Sequence, residues 1–320
     1  MKACIYTKYG SPDVLSIAEV QEPVITDDEV LIKVVASTVN RTDCGFRSAQ
    51  YFVSRLFSGL LKPRNQILGN EFAGVIAKTG KNVTLFKEGD EVFGYNDQTF
   101  GAHAAYMKMA ANSTLDIIPK GFTFKQAAAL TEGAHYALCD IRAAGVKAGW
   151  KVLVNGATGA IGSAAVQLLK YFGAEVTAVC HAQHMEAVKA LGADYVIDYS
   201  TTDFTLTTNR YNFVFDAVGK SSFALCKPLL VKNGIYISTE LGKHGINLLL
   251  ALTTPLFSSR KLLFPLPEIA KSDISFLKEL AENGHFMPLI DKEYSLDEIV
   301  EAHRYVETGK KIGNVIINIS

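Results

Sequence analysis

The sequence has no excess of charge: Lys+Arg and Asp+Glu each count 32 in 320 residues. A balanced chain leaves no electrostatic footprint for a nucleic acid and no basic face for an anionic membrane. It also has no CxxC pair. Its five cysteines, Cys4, Cys44, Cys139, Cys180 and Cys226, are scattered and odd in number. That argues against a structural zinc lobe and a disulfide framework, and it fits a reducing cytosol. There is no uninterrupted apolar run of spanning length. The opening MKACIYTKYG lacks the apolar core of a signal peptide. NLLLALTTPLFSSRKLLFPL is broken by Pro255, Arg260 and Lys261, so it reads as core, subunit interface or substrate-pocket wall rather than a membrane span. A cytoplasmic protein with no membrane insertion and no nucleic-acid partner is expected.

What is present is ample apolar material, 48% of residues, on a chain long enough for one large domain or two ordinary ones. The first third reads as strands. VLIKVVAS (30–37) and GVIAKTG (74–80) are β-branched and apolar, and EGDEVFGY (88–95) turns into another strand. YFVSRLFSGLLKPRN (51–65) interrupts them as a short amphipathic helix or a loop, ended near Pro63. From about Thr123 the pattern changes. FKQAAALTEGAHYALCDIRAAG is Ala-rich and helical, and strands then alternate with helices, which predicts parallel βαβ units. Near the end, Ser295 with Glu298 three residues on predicts a capping box ahead of a helix.

The strongest local motif is KVLVNGATGAIGSAAVQLL. Gly156, Gly159 and Gly162 lie between a strand and a helix, with Thr158, Ala160 and Ile161 among them. Glycines allow the tight turn and close backbone approach, and the helix start offers N–H groups and the positive dipole end to a pyrophosphate. The flanking strand and helix set this apart from a structural turn. The next strand ends at Val179-Cys180-His181 without the acid that usually holds the ribose hydroxyls of NAD. His181 and His184 stand close by, and Tyr199 ends a further strand, so NADPH is preferred over NADH. Each His also reads as an ordinary loop residue. Asp216-Ala217-Val218-Gly219 ends another strand: Val218 and Gly219 are assigned to the ribose or nicotinamide, and Asp216 either to that site or to the turn. Thr131 and the loop from Thr239 to Gly242 are weaker candidates on the same edge.

MKACIYTKYGSPDVL, VLIKVVASTVNRTD, ILGNEFAGVI, EGDEVFG, NGATGAIGSAAVQLLK and ALGADYVIDY follow one another in the order of a known family. Over essentially its whole length the chain resembles a medium-chain dehydrogenase/reductase, in the zinc-independent quinone oxidoreductase branch. The resemblance implies an α/β protein: a Rossmann-type doubly wound parallel sheet at 123–265, plus a β-rich GroES-like catalytic domain at 1–122 and 266–320. It also implies a homodimer. Zinc alcohol dehydrogenases of that superfamily carry Cys-Gly-Thr-Asp and Gly-His-Glu where this chain reads Asn40-Arg41-Thr42-Asp43 and Gly69-Asn70-Glu71. An amide is a poor zinc ligand beside a thiolate or imidazole, so no zinc is expected.

Loss of the metal favours an acceptor that takes hydride directly, a quinone or an α,β-unsaturated carbonyl, with hydrogen-bond donors at the oxygen where charge develops. The resemblance places Asn40 beside the nicotinamide; the competing reading is a buried turn former. Asp43 is a loop anchor or a catalytic group, Tyr51 a candidate at the pocket, and Tyr95 a pocket wall. The segment Cys44-Gly45-Phe46 departs from the family, which leaves the proton donor unassigned, and Cys44 reads as a packed, inert thiol. Asn314 resembles a position near the cofactor, and Lys310 and Lys311 are solvated or assist the phosphate. The leading reading is an NADPH-dependent reductase of quinones or activated alkenes. Its rivals are an enoyl-thioester reductase, a zinc-type alcohol dehydrogenase, and a non-catalytic NADPH-binding sensor.

Overall fold

The computed structural model describes residues 1–50 and 54–319. The chain divides into two compact units, Met1–Glu132 with Ile269–Ser320, and Gly133–Glu268.

The first unit opens with β1 (Lys2–Ile5) and β2 (Ser16–Glu19), an antiparallel ribbon. β3 (Glu29–Val39) reads EVLIKVVASTV, and its β-branched residues suit a pleated, buried surface. After it come α1 (Arg41–Ser48), α2 (Ser54–Ser58), β4 (Glu71–Thr79), β5 (Glu91–Tyr95), β6 (Tyr106–Ala110), β7 (Leu115–Ile117) and α3 (Phe124–Ala128). α4 (Glu132–Ala144) leads into the second unit, which alternates β8 (Lys151–Asn155), α5 (Ala160–Tyr171), β9 (Glu175–Cys180), α6 (Met185–Ala190), β10 (Tyr195–Asp198), β11 (Tyr211–Asp216), α7 (Phe223–Cys226), β12 (Leu230–Ser238), α8 (Ile246–Phe257) and β13 (Lys261–Leu263). The chain then returns to the first unit with α9 (Lys271–Glu282), β14 (Ile290–Ser295), α10 (Ile299–Glu307) and β15 (Asn314–Asn318).

The first unit's main sheet runs β14-β15-β3-β4-β5-β7, with β6 also paired to β3. Its neighbours are antiparallel except β14 and β15. One apolar cluster, including Val30, Ile32, Phe72, Ile76 and Met107, fills one part of this unit, and another gathers Cys4, Tyr6, Val39, Leu296 and Ile317. The predicted capping box is present: Glu298 accepts from the Ser295 N–H at 2.9 Å and from its hydroxyl at 2.8 Å, ahead of α10.

The second unit's sheet runs β10-β9-β8-β11-β12-β13, every pair parallel. In chain order this is 3-2-1-4-5-6, the order of a doubly wound dinucleotide-binding sheet. The direction of winding reverses between β8 and β11, and such sheets bind ligands outside the strands' carboxyl ends at that reversal. The glycine motif lies there, between β8 and α5. Gly173, just past α5, adopts the left-handed φ of +77° that ends a helix.

Two expectations are refined. The Ala-rich stretch from Thr123 is two helices, α3 and α4, because the Thr131 and Glu132 N–H groups between them turn to the Glu71 carboxylate at 3.1 and 2.5 Å. The apolar stretch after residue 246 is core only in part: Leu262 is fully buried and Leu250, Ala251 and Phe264 pack with it, whereas Leu252, Leu256 and Phe257 on α8 are 73%, 75% and 84% exposed. No helix among the described residues is long and apolar enough to cross a membrane.

Candidate active site

In the second unit each glycine of the motif meets a different constraint. Gly156 takes φ +79°, and a Cβ on it would lie 2.3 Å from a Val218 methyl. Gly162 lies against the turn, where a Cβ would be 2.1 Å from the Gly156 carbonyl oxygen. Gly159 is the N-cap of α5 and brings no side-chain cap. A Cβ there would meet only the Gly156 oxygen, at 3.6 Å. A Cβ on Gly159 would thus project into open space at the first turn of α5, where Thr158, Ala160 and Ile161 flank it in the chain. Val218 packs against the turn at Gly156. Gly219 follows in the left-handed region, φ +62°.

Asp216 resolves as a turn former. Its carboxylate accepts from Asn155 Nδ2 at 2.9 Å, the Ser221 N–H at 2.9 Å and the Tyr236 hydroxyl at 3.1 Å. At the neighbouring corner the three residues singled out after β9 and β10 come together. The His181 ring lies 5.8 Å from that of Tyr199, edge to face, and 6.4 Å from that of His184. The sequence reading missed Asp198 there, because it enters from the next strand. It accepts from the Ala182 N–H at 3.1 Å, and the Ser200 N–H and hydroxyl hold its carboxyl below the ordinary range.

In the first unit the two amides that the sequence reading set against the family's metal ligands, Asn40 and Asn70, meet each other. Asn40 caps α1: its Oδ1 accepts from the Asp43 N–H at 2.9 Å, and Asp43 Oδ2 accepts from the Asn40 N–H at 3.2 Å. Asn40 Nδ2 then donates to Asn70 Oδ1 at 2.6 Å. Asn70 Nδ2 donates to the Tyr95 hydroxyl at 3.3 Å and to Glu132 Oε2. Glu132 Oε1 accepts from the Thr42 hydroxyl at 2.9 Å. Distant in sequence, these groups converge because Asn40 follows β3, Asn70 precedes β4, and Glu132 begins α4.

Glu71, the first residue of β4, is fully buried. Thr38 donates to its Oε2 at 2.6 Å, while the Thr131 N–H and hydroxyl and the Glu132 N–H converge on Oε1. Burial pushes its carboxyl up against the pull of those donors. Thr131, proposed from sequence at the cofactor, thus directs its hydroxyl to Glu71. Burial, reinforced by Glu71 and Asp43, pushes Glu132 up further. Asp43 is a clamp: its Oδ1 accepts from the Gly69 N–H at 2.9 Å, which ties α1 to the segment before β4. Tyr51 lies outside the described residues. Asn314, read as a cofactor residue, donates to the carbonyls of Leu289 at 3.0 Å and Ala129 at 3.4 Å. Half-buried Lys311 feels the charges of Glu132 and Glu71, though burial lowers its pKa on balance. Cys44 packs against His303 Nδ1 at 3.4 Å, and burial pushes its thiol up to about 12, the mark of an inert cysteine.

Glu132 had no signal of its own in the sequence, where an acid at a helix start reads as a dipole partner. Asn70 was singled out, but not its contact with Asn40.

A family model described as "Alcohol dehydrogenase GroES-like domain" matches residues 26–126, and one described as "Zinc-binding dehydrogenase" matches residues 191–317. The chain is 34% identical over 333 residues to a 2-methylene-furan-3-one reductase of Solanum lycopersicum, covering 99% of this chain and 79% of that protein. It is 30% identical over 332 residues to the chloroplastic NADPH-dependent alkenal/one oxidoreductase of Arabidopsis thaliana, with the same coverages. Its fold superposes on the quinone oxidoreductase from Coxiella burnetii with a TM-score of 0.89, at 27% identity, covering 100% of this chain and 99% of that one. With its doubly wound sheet, its GroES-like unit and these relatives, the chain belongs to the medium-chain dehydrogenase/reductase superfamily, in the quinone oxidoreductase branch.

Proposed function

We propose that this protein is a zinc-independent, NADPH-dependent oxidoreductase that delivers hydride to a quinone or an α,β-unsaturated carbonyl. The observation that carries the reading is the hydrogen bond from Asn40 Nδ2 to Asn70 Oδ1 at 2.6 Å. Two amides that satisfy each other, beside a Glu71 already engaged by four donors, suit no zinc ion, whose ligands are thiolate, imidazole and free carboxylate. The names of the relatives, an alkenal/one oxidoreductase among them, support the substrate class.

When bound, NADPH supplies the hydride. The chain's part is to hold and polarise. The first turn of α5 and the Gly159 cradle take the pyrophosphate, and His181, His184 and Tyr199 line the corner assigned to the adenosine phosphate. We assign Asn40 to the acceptor. Its amide nitrogen carries two N–H donors, one given to Asn70 and the other directed to the acceptor's oxygen. As hydride reaches the acceptor, negative charge gathers on that oxygen, and a fixed donor stabilises it. Solvent then protonates the product.

Steady-state oxidation of NADPH and NADH with a panel of quinones and enones tests this. Turnover with NADPH preferred is expected; binding of NADPH without turnover on any acceptor would leave only the sensor reading. Asn40→Ala should lower kcat by roughly 10²-fold, the scale of a lost oxyanion donor, with NADPH affinity nearly unchanged. We further propose a homodimer in a reducing compartment, since α8 presents a row of exposed leucines and all five cysteines are free.

A further inference from the structure

The hydrogen bonds around Asn40 all run in one direction. The Asp43 N–H fixes Asn40 Oδ1, so Nδ2 points the other way and donates to Asn70 Oδ1. That contact fixes Asn70 in turn, and its Nδ2 points to the Tyr95 hydroxyl and Glu132. Both Glu132 oxygens accept, one from Asn70 and one from the Thr42 hydroxyl. A chain of donors in this register must end on an acceptor, and Glu132, 5% exposed, is that end. Glu71 plays no part in it, because its oxygens hold Thr38, Thr131 and the Glu132 N–H instead.

We propose that Glu132 is a positioning residue of this active site: as terminal acceptor of the Asn40–Asn70 chain, its carboxylate holds both amides in the one orientation that keeps the second N–H of Asn40 directed at the acceptor's oxygen. The proposal rests on the role assigned to Asn40 above. The chain needs an acceptor at Glu132 rather than a charge: with a proton on Oε1, Glu132 would donate to the Thr42 hydroxyl and still accept from Asn70 with Oε2. With no acceptor there, Asn70 loses the contact that fixes its Nδ2, and the hold on Asn40 goes with it. The charged groups facing Glu132 are Glu71 from β4, Asp43 from α1 and Lys311 from the segment before β15. The two acids oppose its charge and Lys311 favours it. Burial and the acids prevail, so this carboxyl titrates above the ordinary range.

Two measurements decide the matter. The first is the steady-state kinetics of wild type, Glu132→Gln and Glu132→Ala with a quinone or enone, each confirmed folded by thermal melting. Gln accepts from Asn70 with its oxygen and donates to Thr42 with its nitrogen, so it should keep kcat near wild type, whereas Glu132→Ala should lose roughly tenfold or more in kcat with NADPH affinity nearly unchanged. An equal loss in both variants, or wild-type turnover in Glu132→Ala, overturns the proposal. The second needs no substrate: side-chain amide resonances of Asn40 and Asn70 in asparagine-labelled protein should move together in Glu132→Ala and keep their wild-type positions in Glu132→Gln. That outcome in a protein that reduces no quinone or enone supports the chain and sinks the assigned reaction. Amides that stay still in Glu132→Ala of a protein that does reduce them sink the chain alone.

Discussion

Asp140 on α4 is 7% exposed, and burial alone pushes its carboxyl up to about 8. In the unfolded chain it titrates near the ordinary Asp value, about 3.9. A folded pKa raised above the unfolded one means that the folded state keeps the proton longer. Stability from this group is therefore present at low pH and falls as the pH rises from about 4 to about 8. Asp140→Asn should raise the melting temperature at pH 8 by several degrees and by much less at pH 4. An equal difference at both would show that the carboxyl does not titrate in that window. At this same scale the sequence was informative where the chemistry is local. Asn40 and Asn70 stood out through the family resemblance, as amides where zinc relatives carry ligands. It was silent on Glu132 and Asp198, whose roles come from what lies opposite them in space.

The element that best separates binding from packing is α5 with its glycine turn. A methyl on Gly162 would sit 2.1 Å from the Gly156 carbonyl oxygen, so Gly162→Ala must displace backbone. Overpacking of that kind costs about 1–3 kcal/mol, and the melting temperature of the cofactor-free protein should drop. A methyl on Gly159 meets open space, and its φ of −68° suits any residue. Gly159→Ala should cost about 1 kcal/mol or less as a change of N-cap, yet weaken NADPH binding by roughly tenfold or more by filling the phosphate cradle. Calorimetric titration reads the second effect, and wild-type affinity in Gly159→Ala would remove the cradle from the cofactor site. Helices and strands in this unit were legible because each carries its own period and its own turn residues. The break between α3 and α4 was not: the Ala-rich pattern on both sides of Thr131 reads as one helix, and a buried Glu71 from β4 takes the N–H groups that would have continued it.

For the whole molecule, the proposed absence of zinc and the proposed dimer each have a direct check. Chelator-washed protein should carry no stoichiometric metal and keep its NADPH-dependent turnover; loss of activity restored by zinc would reverse the reading of Asn40 and Asn70. Sedimentation equilibrium should give twice the 34.8 kDa chain mass, and charged substitutions at Leu252 and Leu256 should shift it toward one. A monomeric wild type would leave α8's apolar face without that explanation. The sequence alone determined the parallel βαβ succession and the glycine turn between β8 and α5, because each is written in neighbouring residues whose spacing sets backbone shape, and its motifs in order carried the resemblance to the family. Only the tertiary structure decided that one row of α8 is exposed, that the amides of Asn40 and Asn70 bond to each other, and that Glu132 accepts from Asn70. Those outcomes depend on which side chains β3, β4 and α4 bring together across 30 to 90 residues of chain, and on the water that their burial removes.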